Sequence, residues 1–371
     1  MSSKLLGDKL FALIVAILVV GGAAIFLSAA LGLLARESSS IAHLALTQLV
    51  LGLVPGLIVL AALRLCPPKL LEQSVLPFFI FALIATALVF VPGLGHHSNG
   101  ASRWIDLGPI TVQPAEFLKI ATILMLSLYL AKIRTHISSM RVGLLGFLGI
   151  VGAPALLLLA QPNTSTVLVI GATATALYFI AGARLRDFAI LLVIAMVGLG
   201  ALVATRPYLM NRVETFLHPD QNALSTGYQI QQSLIAIGSG GVGGRGFGQS
   251  VQKFNYLPEP VGDSVFAVYG EEFGFIGTVL LVLLFTAFAA RGFTIAAGAS
   301  SAFHAFAATG LTLLITLSAF MNIGAMLGIV PLTGLPLPFV SHGGTALLGA
   351  LASVGIILHV AGHRSKKKLA D

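Results

Sequence analysis

The chain is short of the residues on which soluble proteins depend. Of its 371 residues only 9% are Asp, Glu, Lys or Arg, and only 13 are acidic. Hydrophobic residues make up 57%, and the mean hydropathy is +0.99. That composition excludes a soluble globule, because too few polar residues exist to cover a water-facing surface. A single cysteine, Cys66, excludes an internal disulfide and any cysteine-based metal site. The net charge of +8 does not point to nucleic acid, because no basic stretch is interleaved with aromatics. Basic residues in so apolar a chain belong to loops on the inner side of a membrane.

What the chain has in abundance is apolar runs of membrane-crossing length, about 20 residues each. Ten spans are expected near 10–34, 43–64, 75–93, 114–132, 142–160, 164–182, 187–205, 264–290, 303–330 and 342–361. The first, Leu10 to Ala35, is too long for a signal-peptide core and is followed by further spans, so it reads as a retained helix. With the N-terminus inside, 14 Lys and Arg fall on the inner side, 6 fall outside and Lys119 lies within a span. That bias places both termini in the cytoplasm. The expected fold is therefore an all-α polytopic membrane protein forming one domain over residues 1–371. It has a long extracytoplasmic loop at about 206–263, between spans seven and eight, and a basic tail at 362–371. A second outside loop, 94–113, is also longer than a simple connection, and long loops in compact proteins are often functional.

Four of the 13 acidic residues, Glu259, Asp263, Glu271 and Glu272, crowd into one short stretch. Carboxylates near a membrane cost free energy, so their concentration points to function. Asp263 stands where the long loop meets the eighth span, and two readings stay open: a helix N-cap or a general base. Helical geometry sets Glu271 about 80° around the axis from Asp263 and Glu272 on the far side, too distant for a shared acid–base pair. Both read as structural, hydrogen-bonded groups. Gly241-Val242-Gly243-Gly244-Arg245-Gly246 matches a dinucleotide fingerprint but lacks its βαβ setting. Its glycines are better explained by tight turns or close backbone approach, with phosphate contact through backbone N–H groups a weaker alternative. Arg103-Trp104 closes the first outside loop, where Trp is an ordinary interfacial anchor. Glu116 and Lys119 lie one turn apart on one helix face inside a span. They can neutralise each other or meet a substrate. His96 and His97 have no evident partners for a metal.

Gly227-Tyr228-Gln229, Gln232-Ser233-Leu234, Leu257-Pro258-Glu259, Asp263, Phe266-Ala267, Glu271-Glu272, Gly274 and Gly277 stand at fixed spacings. So do Arg103-Trp104-Ile105 with Gly108, Gln113-Pro114-Ala115-Glu116 with Lys119, and Leu337-Pro338-Phe339 with Ser341 and Gly343-Gly344. In these runs the chain resembles the SEDS family (shape, elongation, division and sporulation), and more closely its FtsW branch. Asn163 stands where the family pattern has Asp, which puts any acid role there in doubt. His342 and Thr345 replace its usual Tyr and Ser.

The resemblance implies a peptidoglycan glycosyltransferase that polymerises lipid II in one inverting displacement. The acceptor GlcNAc 4-hydroxyl attacks the donor MurNAc, and undecaprenyl pyrophosphate leaves. It implies Asp263 as the catalytic base, with Arg103, Trp104, Glu116, Lys119, Lys253, Glu259 and Ser341 as substrate-binding residues. No cofactor is implied except a divalent cation, Mg or Mn, which is left open. The implied partners are lipid II, membrane lipids and a class B penicillin-binding protein, with no nucleic acid. The implied location is the bacterial cytoplasmic membrane, with the site on the extracytoplasmic face. A lipid II flippase is the rival activity.

Overall fold

The computed structural model describes residues 8–33, 46–98, 101–106, 108, 111–218 and 226–363. Its helices are α1 Lys9–Leu31, α2 Gln48–Leu65, α3 Pro68–Phe90, α4 Pro114–Lys132, α5 Met140–Ala160, α6 Thr164–Ile180, α7 Leu185–Thr205, α8 Pro207–Leu217, α9 Thr226–Ser239, α10 Val265–Ala297, α11 Ala302–Met326 and α12 Gly344–Gly362. Among the described residues nine of these are long and apolar enough to cross a membrane. The sixth expected span is α6, with 17 residues, at the short end of what spans a bilayer.

Local sequence sets several boundaries. Asp8 caps α1, its carboxylate accepting from Phe11 N at 3.0 Å. Prolines open α3, α4 and α8 in their first turns, where a missing N–H costs nothing. Pro68 therefore starts α3 well before residue 75, and Lys69, Glu72 and Gln73 are wound into its first turns. The ninth expected span stops at Met326, followed by Gly328 at φ +68°. The outer loops also depart from expectation. The first contains a three-stranded antiparallel sheet, β1 Gly95–Ser98, β2 Ala101–Asp106 and β3 Thr111–Val112, so the chain is not purely helical. Pairing satisfies backbone groups that would otherwise lie idle at the membrane edge. The second contains α8 and α9. The basic run Lys366–Lys368 lies outside the described residues.

Helix composition decides radial position. Helices α4, α11 and α12 are the most buried, at 78%, 72% and 78%, whereas α7 is 6% buried. The inner helices carry the polar side chains: Glu116, Lys119, Thr122 and Ser127 on α4, Thr312 and Ser318 on α11, Ser353 on α12, all buried. In lipid an apolar helix needs no cover, while polar groups must turn inward to find partners.

The eighth span is broken. Gly274 in α10 has φ +64° and ψ −161°, a conformation only glycine adopts readily. The glycine-dense run crosses this break and repairs its hydrogen bonding. Arg245 N and Gly246 N donate to the carbonyls of Glu271 and Glu272 at 3.0 and 2.9 Å. Phe275 N and Ile276 N donate to Gly241 and Val242 carbonyls at 2.9 and 3.1 Å. A Cβ on Gly274 would collide with the Gly244 backbone, so the glycines are there for close approach. The N–H groups of residues 244–246 are already paired within the protein.

Candidate active site

The helices alternate in direction, so β1–β3, the start of α6, α8, α9, the start of α10 and the 327–343 segment gather at one end of the bundle. Asp263 sits there, in a tight turn just before α10. Gly262 N and Ser264 N both donate to the Glu259 carbonyl, at 3.0 and 3.2 Å, and Glu259 takes a left-handed φ of +45°. Ser264, not Asp263, occupies the N-cap position of α10 and makes no side-chain cap. Freed from capping, the Asp263 carboxylate turns to α9, where Gln229 Nε2 donates to Oδ1 at 3.1 Å and to Ser264 Oγ at 2.9 Å. Asn322 of α11 steadies the turn from behind, donating to the Asp263 carbonyl at 2.8 Å and the Leu335 carbonyl at 2.7 Å. Burial raises the Asp263 pKa to about 6; the Gln229 bond and the Arg212 charge oppose this, and the Glu259 charge reinforces it. A carboxylate poised there can take a proton near neutral pH.

Arg212 stands near it, and Arg103 is held at the same end of the bundle. Arg103, on β2, is held by the Gln161 and Pro162 carbonyls at the start of α6. Arg212, on α8, donates to the Leu332 carbonyl at 2.8 Å and lies 4.6 Å over the Tyr208 ring. Burial lowers the pKa of Arg103, against which the Tyr208 hydroxyl acts, and the charge of Arg212 lowers it further. Gly334 lies near both Arg212 and the base. A Cβ on Gly334, which has φ +64°, would be 3.8 Å from Arg212 Nη2 and 3.8 Å from Asp263 Oδ2.

The other expected residues divide. Glu259 belongs to the Asp263 turn. Ser341 braces it, donating to the Gly262 carbonyl at 2.7 Å and accepting from Leu337 N at 2.8 Å. Its hydroxyl proton is therefore committed to the protein. Lys253 is not brought to the site. It is 0% exposed, and its ammonium donates to Glu272 at 2.7 Å, Gly248 O at 2.8 Å and Ser28 at 3.0 Å. All three of its protons are spent, leaving none for a substrate. Glu116 and Lys119 form a buried ion pair at 2.9 Å. The pair lines a cavity of about 40 Å³ with Ser318, Leu335, Pro336 and Pro338. The 335–338 segment thus has one face on this cavity, while its Leu335 carbonyl is tied through Asn322 to the Asp263 turn. Trp104 lies on β2, half-buried, beside Arg103 in sequence.

Gln229, Arg212, Tyr208 and Asn322 were not singled out as site residues from sequence. Gln229 was within reach, since it belongs to the Gly227-Tyr228-Gln229 run. The others gave no signal, because their roles depend on contacts between distant segments.

This arrangement defines a polytopic helical membrane protein with a carboxylate-centred polar site at one end of its bundle. Residues 8–366 match the family described as Cell cycle protein, FtsW/RodA/SpoVE, and the chain belongs to that family. It is 41% identical to stage V sporulation protein E of Bacillus subtilis over 281 residues, 76% of this chain and 77% of that protein. It is 34% identical to a probable peptidoglycan glycosyltransferase FtsW of Idiomarina loihiensis over 362 residues, 97% of this chain and 88% of that one. Among solved structures it is similar to a chain of a peptidoglycan synthase complex, with TM-score 0.77 and 29% identity, covering 95% of this chain and 97% of that one. The Thermus thermophilus rod shape determining protein RodA matches with TM-score 0.66 and 29% identity, covering 94% and 97%.

Proposed function

We propose that this chain is a peptidoglycan glycosyltransferase that polymerises lipid II. The observation that carries the reading is the Asp263 carboxylate. It is held by Gln229 in a turn crossed by few donors, with a pKa suited to a base, near Arg212. Asp263 accepts the proton of the acceptor 4-hydroxyl as that oxygen attacks the donor's anomeric carbon, and the polyprenyl diphosphate departs. Arg103 stabilises the negative charge that leaves. Glu116 and Lys119 contact the substrate from the adjoining cavity. A divalent cation fits the site only with help from substrate phosphates. Glu259 and Asp263 offer two carboxylates, and Mg²⁺ is commonly held by one or two of these plus phosphate oxygens.

The charge bias of the loops supports an extracytoplasmic position for this end of the bundle in the bacterial cytoplasmic membrane, on the side where lipid-linked disaccharide is consumed. A class B penicillin-binding protein is the partner that crosslinks the product.

Purified chain in lipid nanodiscs, supplied with lipid II alone and with a class B penicillin-binding protein, tests this reading. Glycan strands resolved by gel are the expected product. No strands in either condition, with lipid II crossing vesicle membranes that contain the chain, would overturn it in favour of a flippase.

A further inference from the structure

Gln48 is a buried polar side chain at the outer start of α2, in a run over 46–54 that is otherwise Leu, Val, Gly and Thr. The first turns of α2 are widened to π geometry over Gln48–Leu53, a form common at functional sites. The Gln48 amide uses both its ends. Its Nε2 donates to the Ser341 carbonyl at 3.3 Å, and its Oε1 accepts from Gly343 N at 2.9 Å. Those are the two peptide groups that flank His342. His342 N in turn donates to the Val261 carbonyl at 2.7 Å, and Ser341 Oγ donates to the Gly262 carbonyl at 2.7 Å. Val261 and Gly262 are the two residues before Asp263. One side chain thus fixes a three-residue clip, and the clip fixes the turn that carries the base. The seam is tight: a Cβ on Gly52 would come within 3.1 Å of Gly344 Cα, and one on Gly344 within 2.7 Å of Leu51 Cβ.

We propose that Gln48 is a positioning residue for the Asp263 base, acting through the 341–343 clip. This rests on the polymerase reading and deepens it. Any glutamine in a membrane helix needs partners, and what sets this one apart is what its partners hold. Residues 341–343 belong to no helix or strand, so no regular ladder fixes them and side-chain bonds must. An amide is well suited to that task. Its donor has to face a carbonyl and its acceptor an N–H, so a slip of the clip by one residue sets like groups against each other. The consequence falls on Asp263, whose carboxylate meets Gln229 at 3.1 Å only while the turn keeps its place. A displacement of about 1 Å at a reacting group can cost roughly 10²-fold in rate.

The test uses the full-length chain in nanodiscs as wild type, Gln48→Leu, Gln48→Asn, Asp263→Asn and the double variant Gln48→Leu with Asp263→Asn. Polymerisation of lipid II is measured per folded molecule across pH. Gln48→Leu should lower kcat by about tenfold or more with KM little changed, since a misplaced reacting group costs rate and not binding. Its pH limb should move downward, because loosening the turn relieves the burial that raises the Asp263 carboxyl. Gln48→Asn keeps the amide one methylene short, so it can make one of the two bonds and should recover part of kcat. It also carries the test if the Leu variant does not fold. In the Asp263→Asn background Gln48→Leu should cost little further, because the group it positions is already gone. Melting supplies a measure free of catalysis. As pH rises from about 4 through about 6, wild type should lose melting temperature relative to Asp263→Asn. The same comparison between Gln48→Leu and the double variant should show a smaller loss.

The proposal is overturned if Gln48→Leu only melts lower, with kcat and the pH limb intact, which is what a purely structural glutamine does. An equal fractional loss of kcat in both backgrounds overturns it too, as does a rise in KM at constant kcat, which makes Gln48 a substrate contact. If wild type forms no glycan, the polymerase reading falls, and the melting comparison alone decides whether Gln48 holds the carboxylate. A smaller pH-dependent loss then upholds it, and an unchanged one ends it.

Discussion

Two carboxylate clusters lie within ten residues of each other in this protein, and they are treated in opposite ways. Glu271 and Glu272 are at most 1% exposed and surrounded by donors. Glu271 accepts from Ser250 Oγ at 2.6 Å and from the backbone of Val251 and Gln252 at 3.0 and 3.1 Å, with Arg245 at 3.4 Å. Glu272 accepts from Ser28, Ser250 N and Lys253. Asp263, eight residues before Glu271, has Gln229 as its side-chain donor, Glu259 as an acidic neighbour and the Arg212 charge nearby. Saturated charges are fastened down and inert; they tie the long loop to α1 and to the broken helix α10. An undersupplied carboxylate keeps its appetite for a proton. In a membrane protein a charge alone is therefore poor evidence of catalysis, and the count of donors around it decides.

The contrast can be broken by substitution. Asp263→Asn should cost polymerisation about 10²-fold or more, as loss of a general base does. Folding should be unharmed. The folded protein raises the pKa of this carboxyl, so its neutral form is favoured by folding. The stability it contributes is fully present below its unfolded pKa, near 4, and is lost as pH rises through about 6. At pH 7 the Asn variant should melt no lower than wild type, and a lower melting temperature with activity per folded molecule intact would erase the distinction between the clusters.

The opposite cluster should respond in the opposite way. Lys253→Met strands Glu272 as a buried, unpaired charge, which should destabilise by about 3–5 kcal/mol. Activity per folded molecule should change little, and denaturation in detergent alongside a lipid II assay separates the two quantities. Gly334→Ala should have a smaller effect on stability, about 1 kcal/mol for the left-handed backbone. By shifting this strained segment, which packs near both Arg212 and Asp263, it should lower kcat by up to roughly tenfold. The mildest changes sharpen the argument through pH. Activity should rise with pH through about 6. Gln229→Leu removes a donor to the carboxylate and should move that limb upward, while Glu259→Gln removes a neighbouring charge and should move it downward. Each shift should be less than about one pH unit. Identical profiles in both variants would mean that another group titrates.

Membrane character and the order of the apolar helices were legible in the chain, because each depends on composition within one stretch. Prolines and glycines marked helix starts and turns for the same local reason. Asp263 stood out through its place in a run of spaced motif residues, and the structural reading of Glu271 and Glu272 followed from helical periodicity. Sequence could not tell Lys253 from a substrate contact, since a lysine in an outer loop gives no sign that Ser28 and Glu272 await it. Nor could it show that Ser264 takes the cap position and leaves the Asp263 carboxylate to Gln229, or that the first outer loop pairs as a sheet. These features arise where segments far apart in the chain meet. Whether a charge is matched or left unmatched there depends on which groups the packed helices bring within hydrogen-bond reach, and only the tertiary structure decides that.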